Sequence, residues 1–159
     1  MMKSRLFHFN SLVALILLAQ TGCNQKSGRA MLVETDESTF KPGQVWSYKT
    51  RPGEEGSTLT ILKVEKSDKL GIIVHIRIAD VKVKSEKSAD GYARDISHLP
   101  FSEEALRASV VAKVRDRAAM PAEQEGYLAW RDSFDQGKAG IFTTNVAEVI
   151  QGLEKGLGQ

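Results

Sequence analysis

Between Ile72 and Ile78 every second side chain is a branched aliphatic one: Ile72, Val74, Ile76 and Ile78 fall on one face and His75 and Arg77 on the other. A two-residue period of this length belongs to a strand with one face in a core, so it commits the chain to a sheet. The apolar parity then moves to Val81 and Val83, which a single regular strand cannot bury on that same face. A bulge or tight bend near Ala79 and Asp80 restores the register. His75 is expected on the solvent-facing side.

The flanking segments supply partners for this strand. Pro42 and Gly43 form a turn, and Val45, Trp46, Ser47, Tyr48 and Lys49 have the β-branched and aromatic content of a half-buried strand. Pro52, Gly53 and Gly56 bracket an acidic loop that carries Glu54 and Glu55. Another strand is expected from Thr58 to Glu65, joined through Ser67, Asp68 and Lys69 to the Ile72 strand as an antiparallel hairpin. Ser85 to Gly91 is a polar loop, Tyr92 to Ser97 forms one short strand, and His98 lies in the loop leading to a helix.

The last third changes to helical spacing. Ser102 is placed as an N-cap, Glu103 and Glu104 oppose the positive helix end, and Phe101 can staple onto Leu106. Leu106, Val110 and Val114 then extend this helix to about Arg117. A second helix starts at Pro121, carries Leu128, Trp130, Arg131 and Phe134, and stops at Gly137. Thr144 opens a third, with Val146, Val149, Ile150, Leu153 and Leu157 as one apolar stripe. The expected fold class is α+β: an antiparallel sheet of about four strands followed by about three helices packed on one face.

The N-terminal stretch has a different character. Lys3 and Arg5 precede an apolar run from Leu12 to Ala19, far short of the ~20 residues that span a bilayer. Small residues follow at Thr21 and Gly22, as in a cleaved export signal. Ala19, Gln20, Thr21, Gly22 and Cys23 together resemble the lipobox of bacterial lipoproteins, with Gln20 in the place where that family carries an aliphatic residue. The resemblance implies that Cys23 is lipidated and becomes the first mature residue, which makes the membrane a partner through the N-terminal lipid. It also implies, through Asn24, delivery to an outer membrane facing the periplasm. Cys23 is the only cysteine, so no intramolecular disulfide can form, and lipidation protects a thiol that an oxidising compartment would otherwise attack. The expected organisation is a signal peptide at 1–22, a lipidated cysteine and polar tether at 23–39, and a single α+β domain at 40–159. The apolar island Met31 to Val33 fits either the tether or a short first strand.

Charge and motifs narrow the function by exclusion. The chain has 22 Lys and Arg against 20 Asp and Glu, and setting aside Lys3 and Arg5 of the signal leaves the two signs equal. Nucleic-acid binding lacks the clustered positive charge that phosphates require. Beyond the signal only His75 and His98 are histidines, with no HxxxH spacing, so no metal site and no cofactor are expected. No GxSxG elbow and no GxxxxGK[ST] loop occur. Glu54 with Glu55 fits a solvated turn tip, and Glu103 with Glu104 fits a helix start, better than either fits a glycosidase pair.

The candidate contacts are therefore for binding: Trp46, Tyr48 and Arg51, with Glu54 and Glu55 at a protruding acidic tip and Tyr92, Tyr127 and Trp130 expected nearby. The expected function is that of a small non-enzymatic envelope lipoprotein that binds a protein or an envelope polymer. Three alternatives stay open: an immunity-type lipoprotein that blocks a basic toxin with the acidic tip, a hydrolase built on His98 and a nearby carboxylate, and a lipid carrier lined by the Val146 to Leu157 stripe.

Overall fold

The computed structural model describes residues 31–121 and 124–157. The export segment and Cys23 lie outside the described residues. Six strands form one antiparallel sheet, with β1 at Leu32–Glu34, β2 at Val45–Tyr48, β3 at Thr58–Ser67, β4 at Gly71–Lys84, β5 at Tyr92–Ser102 and β6 at Val110–Arg115. Helix α1 is Glu103–Ser109, α2 is Glu125–Asp135 and α3 is Val146–Leu157. The order across the sheet is β5-β4-β3-β2-β6, and β1 pairs with the far end of β3 beside β2.

Strand β4 is the spine. Its even-numbered residues Val74, Ile76 and Ile78 are buried in the main core, and beyond Ala79 the same core takes Val81 and Val83. The parity change occurs where the sequence requires it: the β4–β5 register shifts between Ala79 and Val83, and Asp80 adopts a left-handed φ of 59°. Helices α1 and α3 close this face with Ala105, Leu106, Val146, Val149 and Ile150. Ser102 accepts a hydrogen bond from the Ala105 N–H, which satisfies one open donor at the start of α1. Asn145 does the same for the Glu148 N–H at the start of α3.

Four expectations are corrected. The strands number six, because Leu32 and Val33 of the apolar island lie in β1 and β6 is added, while the strand from Tyr92 runs on to Ser102 and takes in His98. The first helix stops at Ser109, where the Ser109 hydroxyl donates to the Ala105 carbonyl and accepts the Val146 N–H. The β-branched valines that follow lie in a strand that pairs with β2 instead, so a strand comes after the first helix. Pro121 also precedes rather than starts the second helix, which begins at Glu125. Finally, the helices do not share one face. Ile73, from the other side of β4, packs with Leu32 and with Phe134 of α2, so the sheet is covered on both faces near the start of β4. The odd-numbered face of β4 is thus not a solvent face.

Candidate functional site

That second face carries the most unusual chemistry of the molecule. A one-residue register shift after Ile61 sets Lys63 opposite His75 and Glu65 opposite Ile73, so Lys63, Glu65 and His75 share the side covered by α2. In β5 another shift gives one extra residue opposite Arg77 and brings His98 to the same side. Helix α2 comes close because residue 126 is glycine: a Cβ there would lie 2.7 Å from the His98 Cβ and 3.0 Å from the Ser97 hydroxyl.

Three groups form a chain through this interface. The His98 Nε2 and His75 Nδ1 atoms are 3.0 Å apart. The His75 Nε2 lies 3.0 Å from Glu65 Oε2, close enough for a hydrogen bond but with a bent N–H···O geometry. An ionised carboxylate only accepts, so the neutral His75 carries its proton on Nε2 and accepts the His98 Nε2–H at Nδ1. His75 is 0% exposed and Glu65 3% exposed, whereas His98 is partly open. Helix α2 grips the same carboxylate from above: the Tyr127 hydroxyl donates to Glu65 Oε1 at 3.0 Å, and Arg131 Nη1 donates to that oxygen at 3.2 Å. The rings of Tyr127 and Trp130 meet His75 edge-on at centroid separations of 5.1 and 4.8 Å.

The environment sets the charge states. Burial foremost, and then the nearby Lys63 and Arg131 charges, lower the His75 pKa against the pull of Glu65. Burial and the neighbouring His75 take His98 down to about 4. Burial works against ionisation of Glu65, but His75, Tyr127 and Lys63 outweigh it and hold its carboxyl below the usual range. At neutral pH the chain is therefore a carboxylate and two neutral imidazoles. Ser97 makes no hydrogen bond to His98, and among the described residues no cluster of three His, Cys, Asp or Glu side chains could hold a metal ion. Among the described residues no nucleophile is hydrogen-bonded to the outer end of this chain of groups.

The binding residues read from sequence are placed differently. Trp46 packs on Phe40 at 5.4 Å and donates to Gln44, and Tyr48 is buried with its hydroxyl 2.8 Å from Ser57. Both belong to the core side of β2, so they do not meet Tyr127 and Trp130, which lie across the sheet. Glu54 does not protrude: it is buried, it takes Arg51 Nε at 2.9 Å, and it accepts the Lys82 N–H at 2.8 Å. Only Glu55 stays exposed at the tip, where it accepts the Gly53 N–H. Arg51 also reaches Glu154 of α3 at 2.9 Å and the Lys82 carbonyl at 2.8 Å. Hydrogen bonding to Glu54 raises the Arg51 pKa further, while burial of Glu54 is outweighed by Arg51 and by the Lys82 N–H, which keep its carboxyl low.

This ion-pair knot floors a cleft. Two adjoining hollows, of about 300 and 650 Å³, share Lys84, Tyr92 and Glu154; the first adds Arg51 and Lys82, and the second adds Lys87 and the β4–β5 turn. Glu154 is already taken by Arg51 and by the Lys84 N–H, whereas the Lys84 and Lys87 ammonium groups form no ion pair among the described residues, and the Lys82 charge acts on Glu54 and Glu55 only at longer range. Sequence reasoning found the Arg51 loop but missed the groups it faces, because the β4–β5 turn and α3 are distant in the chain. It also missed Glu65, and it named His75 and His98 without bringing them together. The available signal was the stripe Tyr127, Trp130, Arg131 and Phe134, which places aromatic and cationic side chains together on one helix face.

No family model, no curated protein and no solved structure matches the chain. What it does must be argued from these two sites.

Proposed function

We propose that this chain is a small, lipid-anchored and non-enzymatic envelope protein whose α+β domain binds an envelope polymer or protein in the cleft between the Arg51–Gly56 loop, the β4–β5 turn and α3. One observation carries this reading: Glu54 and Glu154 are neutralised by Arg51 and backbone N–H groups, so that Lys82, Lys84 and Lys87 outnumber Glu86, the remaining acid of the lining, beside the Tyr92 ring. Such a cleft suits a partner that offers carboxylates or phosphates next to a flat apolar surface. The anchor rests on the segment from Ala19 to Cys23, which resembles a lipobox. An immunity-type reading has less support, because Glu54 is enclosed by its own domain and leaves Glu55 as the exposed acid of the tip.

The test is photo-crosslinking in intact cells, with the photoreactive residue placed at Lys84 or, as a control on another strand, at exposed Lys113. A discrete adduct from position 84 that is absent from position 113 is expected. The same products from both positions, or none from position 84, would remove the cleft as the binding face.

A further inference from the structure

The network beneath α2 is not used by the proposed binding cleft. On β4, His75 and Lys84 are nine residues apart, a separation of about 30 Å at the usual rise of a strand. Its buried carboxylate is the polar tie between α2 and the sheet, receiving both the Tyr127 hydroxyl and the Arg131 guanidinium on one oxygen. Its other oxygen faces an imidazole, and that imidazole contacts a second one that is partly open to solvent.

We propose that the Glu65–His75–His98 chain is an acid-operated latch for helix α2, in which the fold accommodates one proton and a second proton frees the helix from the sheet. The first proton enters at His98 Nδ1. The His98 Nε2 proton then passes to His75 Nδ1, which leaves an imidazolium beside the Glu65 carboxylate and a neutral His98 that accepts from it. No bond to α2 is lost in this step. A second proton has two places to go. On His98 it sets two imidazolium rings 3.0 Å apart, nitrogen to nitrogen. On Glu65 it removes the negative charge that holds Tyr127 and Arg131. Either outcome weakens the tie, and the two protons belong to the coupled group rather than to separate residues.

The surrounding charges favour release once the carboxylate is lost. On β3, Lys63 sits over the Tyr127 ring at 5.1 Å and is paired with Glu34 of β1. On α2, Arg131 is held by Asp135 at 3.2 Å, and Glu125 lies in the first turn. Further along the sheet, Arg77 of β4 and Asp95 of β5 pair with each other at 2.6 Å. Lys63 and Arg131 therefore keep acidic partners away from Glu65, but both press on an imidazolium. Release uncovers Ile73 and Leu32 and the inner side of α2, so acid would expose an apolar surface that is covered at neutral pH.

The experiment follows Trp130 fluorescence in the full chain carrying Trp46→Phe, with far-UV circular dichroism recorded in parallel between pH 7.5 and 3.5. Trp130 emission is expected to move to longer wavelength with a midpoint between the ordinary histidine value of 6.5 and about 4, before the sheet signal changes. The added variant His98→Gln, which keeps a donor for His75 but cannot take a proton, is expected to lower the midpoint by about one pH unit or more. Simultaneous loss of both signals, or an unchanged midpoint in the variant, overturns the latch. Should the variant fail to fold, imidazole nitrogen resonances of the unsubstituted chain decide: two coupled steps support the latch, and two independent titrations overturn it.

Discussion

His98 shows how one side chain ties stability to pH. Its pKa falls from 6.5 to about 4 on folding, so between those values the unfolded chain binds more protons than the folded one. The stability this group supplies is complete above about pH 6.5 and declines as pH falls toward 4, and the lowered pKa of His75 adds in the same direction. Glu65, also held low, begins to contribute to the loss only as pH drops below the ordinary carboxylate value of 4.5. The His98 shift corresponds to about 3 kcal/mol, reduced to roughly 2 for its partial exposure. Urea unfolding at pH 5 should therefore show about 1 to 2 kcal/mol less stability than at pH 7.5; equal values would mean that His98 is not desolvated in solution. The alternation around Val74 and Ile76 revealed that His75 faces away from the main core, but not what covers that side. A strand's period gives two faces and is silent on whether the second is wet. His98 was expected in a loop because an extra residue opposite Arg77, invisible in the residue pattern, turns it beneath α2.

At the scale of elements, the decisive contact is between α2 and β5. Alanine at position 126 should improve helix propensity by about 1 kcal/mol, but its Cβ would meet the His98 Cβ at 2.7 Å, and overpacking of this kind costs roughly 1 to 3 kcal/mol. Gly126→Ala is expected to lower stability by about 1 kcal/mol in denaturant titration and to loosen Trp130 at neutral pH. An unchanged or higher stability would show that α2 stands further from the sheet. Helix α3 was legible because its apolar stripe and its polar start agree with each other. The α1–β6 junction was not, since Leu106, Val110 and Val114 satisfy a helical period as well as the strand that forms. The open edge of β2 decides between them by offering backbone partners. In β6 the two register shifts leave Val111 and Val114 as the extra residues, both more than half exposed, and Lys113 and Arg115 are exposed beside them. Bulges and cations on an outer strand are the usual protection against edge-to-edge pairing. The free edge of β5 is protected by another route, as the chain near Phe142 bonds to Pro100 and Ser102.

For the whole molecule, the long β4–β5 hairpin separates two tasks. Its tip helps form the cationic cleft, and its base holds the buried proton chain under α2, on the face opposite α1 and α3. The α+β class was legible as a whole because, β6 apart, the strands come first in the sequence and the helices last. The two-sided covering of the sheet was not, because it depends on a second core built from Leu32, Ile73 and Phe134, three residues far apart in the chain. Among the described residues no helix is long and apolar enough to cross a membrane, and the proposed membrane attachment rests on Cys23. Several acyl chains at about 0.8 kcal/mol per buried methylene would hold the domain there firmly. The most direct test is palmitate labelling combined with membrane fractionation, comparing the unaltered chain with Cys23→Ser. Label and membrane retention that both vanish in Cys23→Ser are predicted; an unlabelled chain that fractionates identically with and without Cys23 would contradict the lipid anchor and, with it, a binding domain that works from a membrane surface.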